Sequence, residues 1–179
     1  MPLGSEVDRL KASGWCCANP SRQHGLVTPS VGQSPRRARL DESDAIADLW
    51  LRSRKASFPA NPPTIHDDAD VRNHFATVVM PTMEVWVIDG AEPGIVALLV
   101  LHSGWVEHLH VDPEVTGLGL GSRLIETAKE HSAAGLDLWT FQSNAGARRF
   151  YERHGFTVVA MTEGNNEEGE PDVRYRWSP

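Results

Sequence analysis

Residues 109–156 read LHVDPEVTGLGLGSRLIETAKEHSAAGLDLWTFQSNAGARRFYERHGF, and their pattern decides the fold. An apolar strand through Leu109 and Val111 runs into a glycine-rich turn. An amphipathic helix follows, with Leu120, Leu124, Ile125 and Ala128 on its inward side. A second strand over 136–141 and a second helix over 145–154 complete the stretch. Gly117, Gly119 and Gly121 alternate, so backbone amides can approach a ligand with no Cβ in the way. They stand where a helix begins, and exposed N–H groups there favour a bound phosphate. Two nucleotide signatures fail. Ser122 stands where the dinucleotide fingerprint needs its third glycine, and the Gly-Lys-Ser/Thr ending of a Walker loop is absent.

Working outward towards the N-terminus, the period changes to two from Met83, and Asp89-Gly90 signals a turn. Residues 94–102 are nearly all aliphatic, the mark of a central strand buried on both faces. Residues 105–111 form the next strand. Before these, Ile46, Leu49 and Trp50 at i, i+3, i+4 predict a helix over 44–55, capped by Asp41 or Ser43. A proline-rich loop over 58–64 leads to a second helix carrying Val71, Phe75 and Val79, with Pro81 ending it. RRARL, residues 36–40, reads as a short edge strand. Towards the C-terminus, residues 156–162 and 173–177 predict a final hairpin. The order strand, strand, strand, helix, strand, helix, strand, strand gives a mixed α/β (α+β) layered domain rather than a doubly wound one.

The chain of 179 residues suffices for one well-cored domain. Residues 1–35, rich in Gly, Pro and Ser, read as a flexible N-terminal extension, and the domain proper spans 36–179. The extension is equally readable as a regulatory arm or a mis-assigned start. No apolar run reaches the length of a membrane span and no signal-peptide segment is visible, so a cytoplasmic location is expected. The net charge of −7 argues against a nucleic-acid partner and favours cationic substrates. The two cysteines, Cys16 and Cys17, are adjacent and read as ordinary thiols, and no metal site is expected. A homodimer is left open.

Two blocks carry a family resemblance. Thr116-x-x-Gly119-x-Gly121 fits the pattern Gln/Arg-x-x-Gly-x-Gly/Ala, with Thr116 departing at its first place. Asn144-x-x-Ala147-x-x-Phe150-Tyr151-x-x-x-Gly155-Phe156 fits a second block at the appropriate distance. Over about residues 36–177 the chain resembles the GCN5-related N-acetyltransferase (GNAT) family. The resemblance implies a splayed strand pair holding acetyl-CoA as co-substrate, with no metal. It implies cofactor contacts from Leu109, His110, Val111, Thr116, Gly117, Leu118, Gly119, Leu120, Gly121, Ser122, Asn144, Ala147, Phe150 and Tyr151. Arg123 is a nearby counter-charge.

The same resemblance implies acetyl transfer to an amine by direct attack in a ternary complex. Main-chain groups of Leu109 and Val111 would polarise the thioester carbonyl. Tyr151 matches the family's acid position, and a phenol is of suitable basicity to protonate a thiolate. For the base, Glu107 shares a strand face with Leu109 and Val111, while His108 and His110 share the other. Glu107, one of these histidines, or no residue of this strand remain the choices. Glu163, Glu167, Glu168, Glu170 and Asp172 border the final turn, where acidity would attract an amine or simply face solvent. The acceptor is expected to be a small-molecule amine. A protein N-terminus or lysine, or a non-catalytic acyl-CoA sensor, are the alternatives.

Overall fold

The structure, a computed structural model, describes residues 34–90 and 94–179. The expected extension, with Cys16 and Cys17, lies almost wholly outside the described residues. Three helical pieces precede the main strands: α1 (Ser43–Ala56), α2 (Asp68–His74) and, after a π-helical turn at Phe75–Val79, a last turn α3 (Met80–Thr82). Pro81 does not stop this helix. The helical run is continuous through the π turn and ends at Thr82, one residue beyond the proline, where the chain turns extended at Met83. On the glycine-turn side lie α4 (Leu120–Glu130) and α5 (Ala145–Arg153).

One seven-stranded sheet runs β1 (Arg36–Arg37), β2 (Glu84–Asp89), β3 (Ile95–His102), β4 (Trp105–Val111), β5 (Leu136–Phe141), β7 (Asp172–Trp177), β6 (Thr157–Met161). Every neighbouring pair is antiparallel except β4–β5. The aliphatic run of β3 is explained by its two covered faces. Ala97, Leu99 and Leu101 join a core with α4 and α5, while Ile95, Leu98 and Val100 join another with α1 and α2. The expected α/β architecture, with helices on both faces, is the one observed.

The start of α1 differs from expectation. Glu42 occupies the N-cap with no side-chain cap bond, and Ser43 is already helical. The Glu42 carboxylate instead accepts the Arg39 N–H at 2.7 Å and the Arg36 guanidinium at 2.8 and 3.0 Å. Arg36 also grips Asp89 at 2.5 and 2.6 Å, so one side chain ties β1 to the end of β2 and the entry of α1. RRARL gives only two strand residues, because Leu40 enters a 3-10 turn over Leu40–Glu42.

Two irregularities shape the centre of the sheet. β4 and β5 share one ladder pair, Trp105 with Asp137, beside an Asp137 N–H donated to the Gly104 carbonyl at 2.9 Å; beyond it they diverge. On its other side β4 carries a bulge. Val106 pairs with Leu101 and His108 with Val100, which leaves Glu107 as the extra residue.

Candidate active site

The register of β4 decides which backbone groups reach the split. Asp112 donates its N–H to the Val96 carbonyl at 2.8 Å, extending the ladder in which His110 faces Leu98 and His108 faces Val100. Bonded pairs alternate in an antiparallel ladder, so those residues bond towards β3. Leu109 and Val111 therefore turn their N–H and C=O towards β5, into the split. Their side chains pack in the core with α4, whereas His108 and His110 face α1. Leu109 and Val111 stand opposite His108 and His110 as the sequence suggested, but the bulge breaks the alternation below them, and Val106 rather than Glu107 joins Leu109 in the core.

Beyond Val111 the chain reaches the glycine turn. Gly117 and Gly119 have φ of +83° and +78°, and a Cβ on either would meet nothing within 4 Å. These two glycines serve the left-handed conformation and leave open space above the turn. Gly121 serves another purpose. Its Cβ would stand 3.3 Å from Phe150 ring carbons and 3.8 Å from a Leu109 methyl, so it is where α4 and α5 approach. Gly119 caps α4 with no side-chain bond, and the first amides of the helix have no intrahelical partner.

An open cleft of about 300 Å³ lies over this turn. Of the expected binding residues it brings together Val111, Gly117, Gly119, Leu120, Gly121, Ser122 and Phe150. Gly146, Arg149 and Arg153 complete it, and sequence reasoning missed all three. The signal was available: Arg149 and Arg153 are one helical turn apart, which puts two cations on one side of α5. Arg123, expected as the counter-charge, lines a neighbouring groove with Trp86, Glu126 and His131 instead.

Residues 81–158 match the model of a family described as "Acetyltransferase (GNAT) domain". That stretch is a GNAT acetyltransferase domain. It is 29% identical over 135 residues to the peptidyl-lysine N-acetyltransferase YjaB of Escherichia coli K12, covering 73% of this chain and 86% of that one. The solution structure of apo-form YjaB superposes with a TM-score of 0.65 at 23% identity, over 80% of this chain and 96% of that one. A Salmonella typhimurium structure, yncA, described with its cofactor acetyl-CoA, gives a TM-score of 0.58 at 18% identity, over 81% and 92% of the two chains.

Other residues expected in the GNAT site lie around the cleft rather than in it. Thr116 donates its hydroxyl to the Pro113 carbonyl at 3.2 Å, and Leu118 is exposed on the turn. Asn144 is fully buried: its Oδ1 accepts the Ala147 N–H at 2.9 Å and its Nδ2 donates to Asn61 at 2.9 Å. It is a helix cap and a tie between loops. His110 is likewise turned away, its main chain bonded towards β3 and its ring on the α1 face. Leu109, Ala147 and Tyr151 belong to the core beneath the cleft. The Tyr151 ring is packed by Phe150, Phe156 and Tyr175 at 5.3, 5.6 and 6.2 Å between centroids.

Both β4 histidines are held neutral. His108 Nδ1 accepts the Trp50 indole N–H at 3.2 Å, and burial pushes this imidazole down to about 3. His110 Nδ1 lies 3.0 Å from Ser53 Oγ, and burial lowers it well below the usual range. Glu107, by contrast, is half-buried on the bulge.

On the α1 face of the split, an ion pair and a histidine–carboxylate hydrogen bond join segments far apart in sequence. Arg54, 4% exposed at its side chain, lies over the Trp50 and Phe141 rings and donates to Glu168 at 3.2 Å. His66 meets Glu167 at 3.0 Å. Two acidic residues of the β6–β7 turn thus hold that turn against the last turn of α1 and the loop that follows it. Among the described residues, no cluster of His, Cys, Asp or Glu is arranged to hold a metal, and no helix is long and apolar enough to cross a membrane.

Proposed function

We propose that this GNAT acetyltransferase takes acetyl-CoA and passes the acetyl group to a primary amine by direct attack in a ternary complex. The observation that carries the reading is the β4–β5 split opening beside the glycine turn. The residues fit the cofactor. A diphosphate at the turn meets the first amides of α4, with Arg149 and Arg153 opposite and open space over Gly117 and Gly119. The main chain of Leu109 and Val111 is turned the right way for the pantetheine amides.

Acetyl-CoA supplies an activated thioester carbonyl. The chain's own part is to hold N–H donors of β4 where charge develops on that carbonyl oxygen. Glu107, placed by the bulge near the start of the split, accepts a proton from the acceptor ammonium directly or through water. Tyr151 returns a proton to the departing sulfur. We take the acceptor as a small-molecule amine. The peptidyl-lysine activity of the Escherichia coli relative favours a second reading, in which the acceptor is a protein lysine side chain.

Free-thiol release from acetyl-CoA, measured with a panel of small amines, lysine peptides and whole protein, tests both. Turnover with one panel identifies the acceptor class. Cofactor binding with no turnover on any would leave an acyl-CoA sensor, and absence of binding at millimolar CoA would overturn the reading altogether.

A further inference from the structure

His154, at the C-terminal end of α5, sits between two partners. Its Nδ1 is 2.8 Å from the Phe150 carbonyl oxygen, and its Nε2 is 3.0 Å from Ser122 Oγ in the cleft. The ring lies on Phe150, 4.4 Å between centroids, which fixes its orientation. A carbonyl oxygen only accepts, so Nδ1 carries a hydrogen and the remaining freedom is at Nε2. With a neutral ring, Nε2 accepts the single Ser122 hydroxyl hydrogen, and the hydroxyl turns only lone pairs to the cleft. With a protonated ring, Nε2–H donates to Oγ, and the Ser122 O–H is released for a phosphate oxygen.

We propose that His154 is a positioning residue for the cofactor diphosphate: binding takes up a solvent proton at His154 Nε2, which turns the Ser122 hydroxyl towards the phosphate. The inference rests on the acetyl-CoA reading above. The surrounding charges give it a sign. Arg149 and Arg153 line the same cleft and oppose a positive ring while no anion is present; a diphosphate reverses that balance. On α4, Arg123 and Glu126 flank Ser122 in the adjoining groove. From β7, Trp177 faces the turn at Gly155 and does not titrate. Linkage is reciprocal, so a complex that holds the protonated ring binds more weakly as pH rises.

The test is calorimetric titration of the full chain with dephospho-CoA, which lacks the titrating 3′-phosphate, in buffers of unlike ionisation enthalpy. The expected result is uptake of a large fraction of one proton, with affinity falling as pH rises. Both effects should vanish in His154→Gln and shrink in Ser122→Ala, where only the charge of the diphosphate remains to favour the protonated ring, and the double variant should bind no more weakly than Ser122→Ala alone. A parent that binds without proton uptake, or equal uptake in Ser122→Ala, overturns the proposal and leaves the acetyl-CoA reading standing. No binding of CoA or dephospho-CoA overturns both. Should His154→Gln fail to fold, the parent and Ser122→Ala still decide, since the serine change removes one hydroxyl.

Discussion

The Tyr151 ring is supported by three aromatic neighbours, so Tyr151→Phe removes the hydroxyl and keeps the packing. If the phenol protonates the leaving sulfur, kcat should fall about a hundredfold with CoA affinity nearly unchanged. Steady-state kinetics beside calorimetric titration of the variant checks this, and an unaltered kcat would make the residue structural. A different consequence follows from His108. Its folded value of about 3 lies below the ordinary 6.5, so unfolding takes up a proton anywhere between the two. Stability is therefore full above about pH 6.5 and is lost progressively as pH falls towards 3. Glu42, held down to about 2 by the Arg36 guanidinium, adds a separate loss that begins only near its ordinary 4.5. Melting temperature should thus already decline between pH 6.5 and 4.5, and His108→Phe should make that first part of the decline shallower, His110 supplying the rest.

At the level of elements, the glycines of the α4 turn divide by what surrounds them. Gly119→Glu puts a carboxylate into open space above the turn, at about 1–2 kcal/mol for a side chain in the left-handed conformation, and should abolish CoA binding in a chain that still folds. Gly121→Val drives methyls into the Phe150 ring and should cost about 1–3 kcal/mol of stability by overpacking. Urea denaturation and CoA titration of both variants separate the two effects. Across the split, Glu168→Gln leaves the buried Arg54 without its carboxylate and should destabilise by about 3 kcal/mol, read by the same denaturation. The strands 105–111 and 136–141 were legible to the residue, because β-branched and aromatic runs between Gly turns leave little choice. The Glu107 bulge was not, since alternation along EHLH reads alike with or without an extra residue. Arg149 and Arg153 were missed because a basic helix face ordinarily meets water, and only the facing turn makes it a binding wall. Asn144 satisfied a motif and a cap at once, and its contact with Asn61 depends on a loop 83 residues away.

For the molecule as a whole, the two apolar cores are not equivalent. The core under α4 and α5 draws residues from both sides of the split, including Leu109, Leu138 and Tyr175. The core under α1 and α2 draws its strand residues from β2 and β3 alone. The sheet is therefore joined across its middle by one rung, by one shared core on one face, and by the Arg54–Glu168 and His66–Glu167 ties on the other. Such a seam is where a protein opens locally before it unfolds globally. Amides of β4 and β5 that face each other across the split beyond Trp105 and Asp137 should exchange with deuterium well ahead of those of β3 in the free protein. Acetyl-CoA, bonding to the strand edge that β5 leaves, should slow them together, as if the ligand were a temporary strand. Protection confined to the glycine turn would mean that the cofactor leaves the seam untouched. On this view the cofactor is a removable part of the sheet's own architecture, and its release after each turnover leaves the protein briefly less folded than the complex.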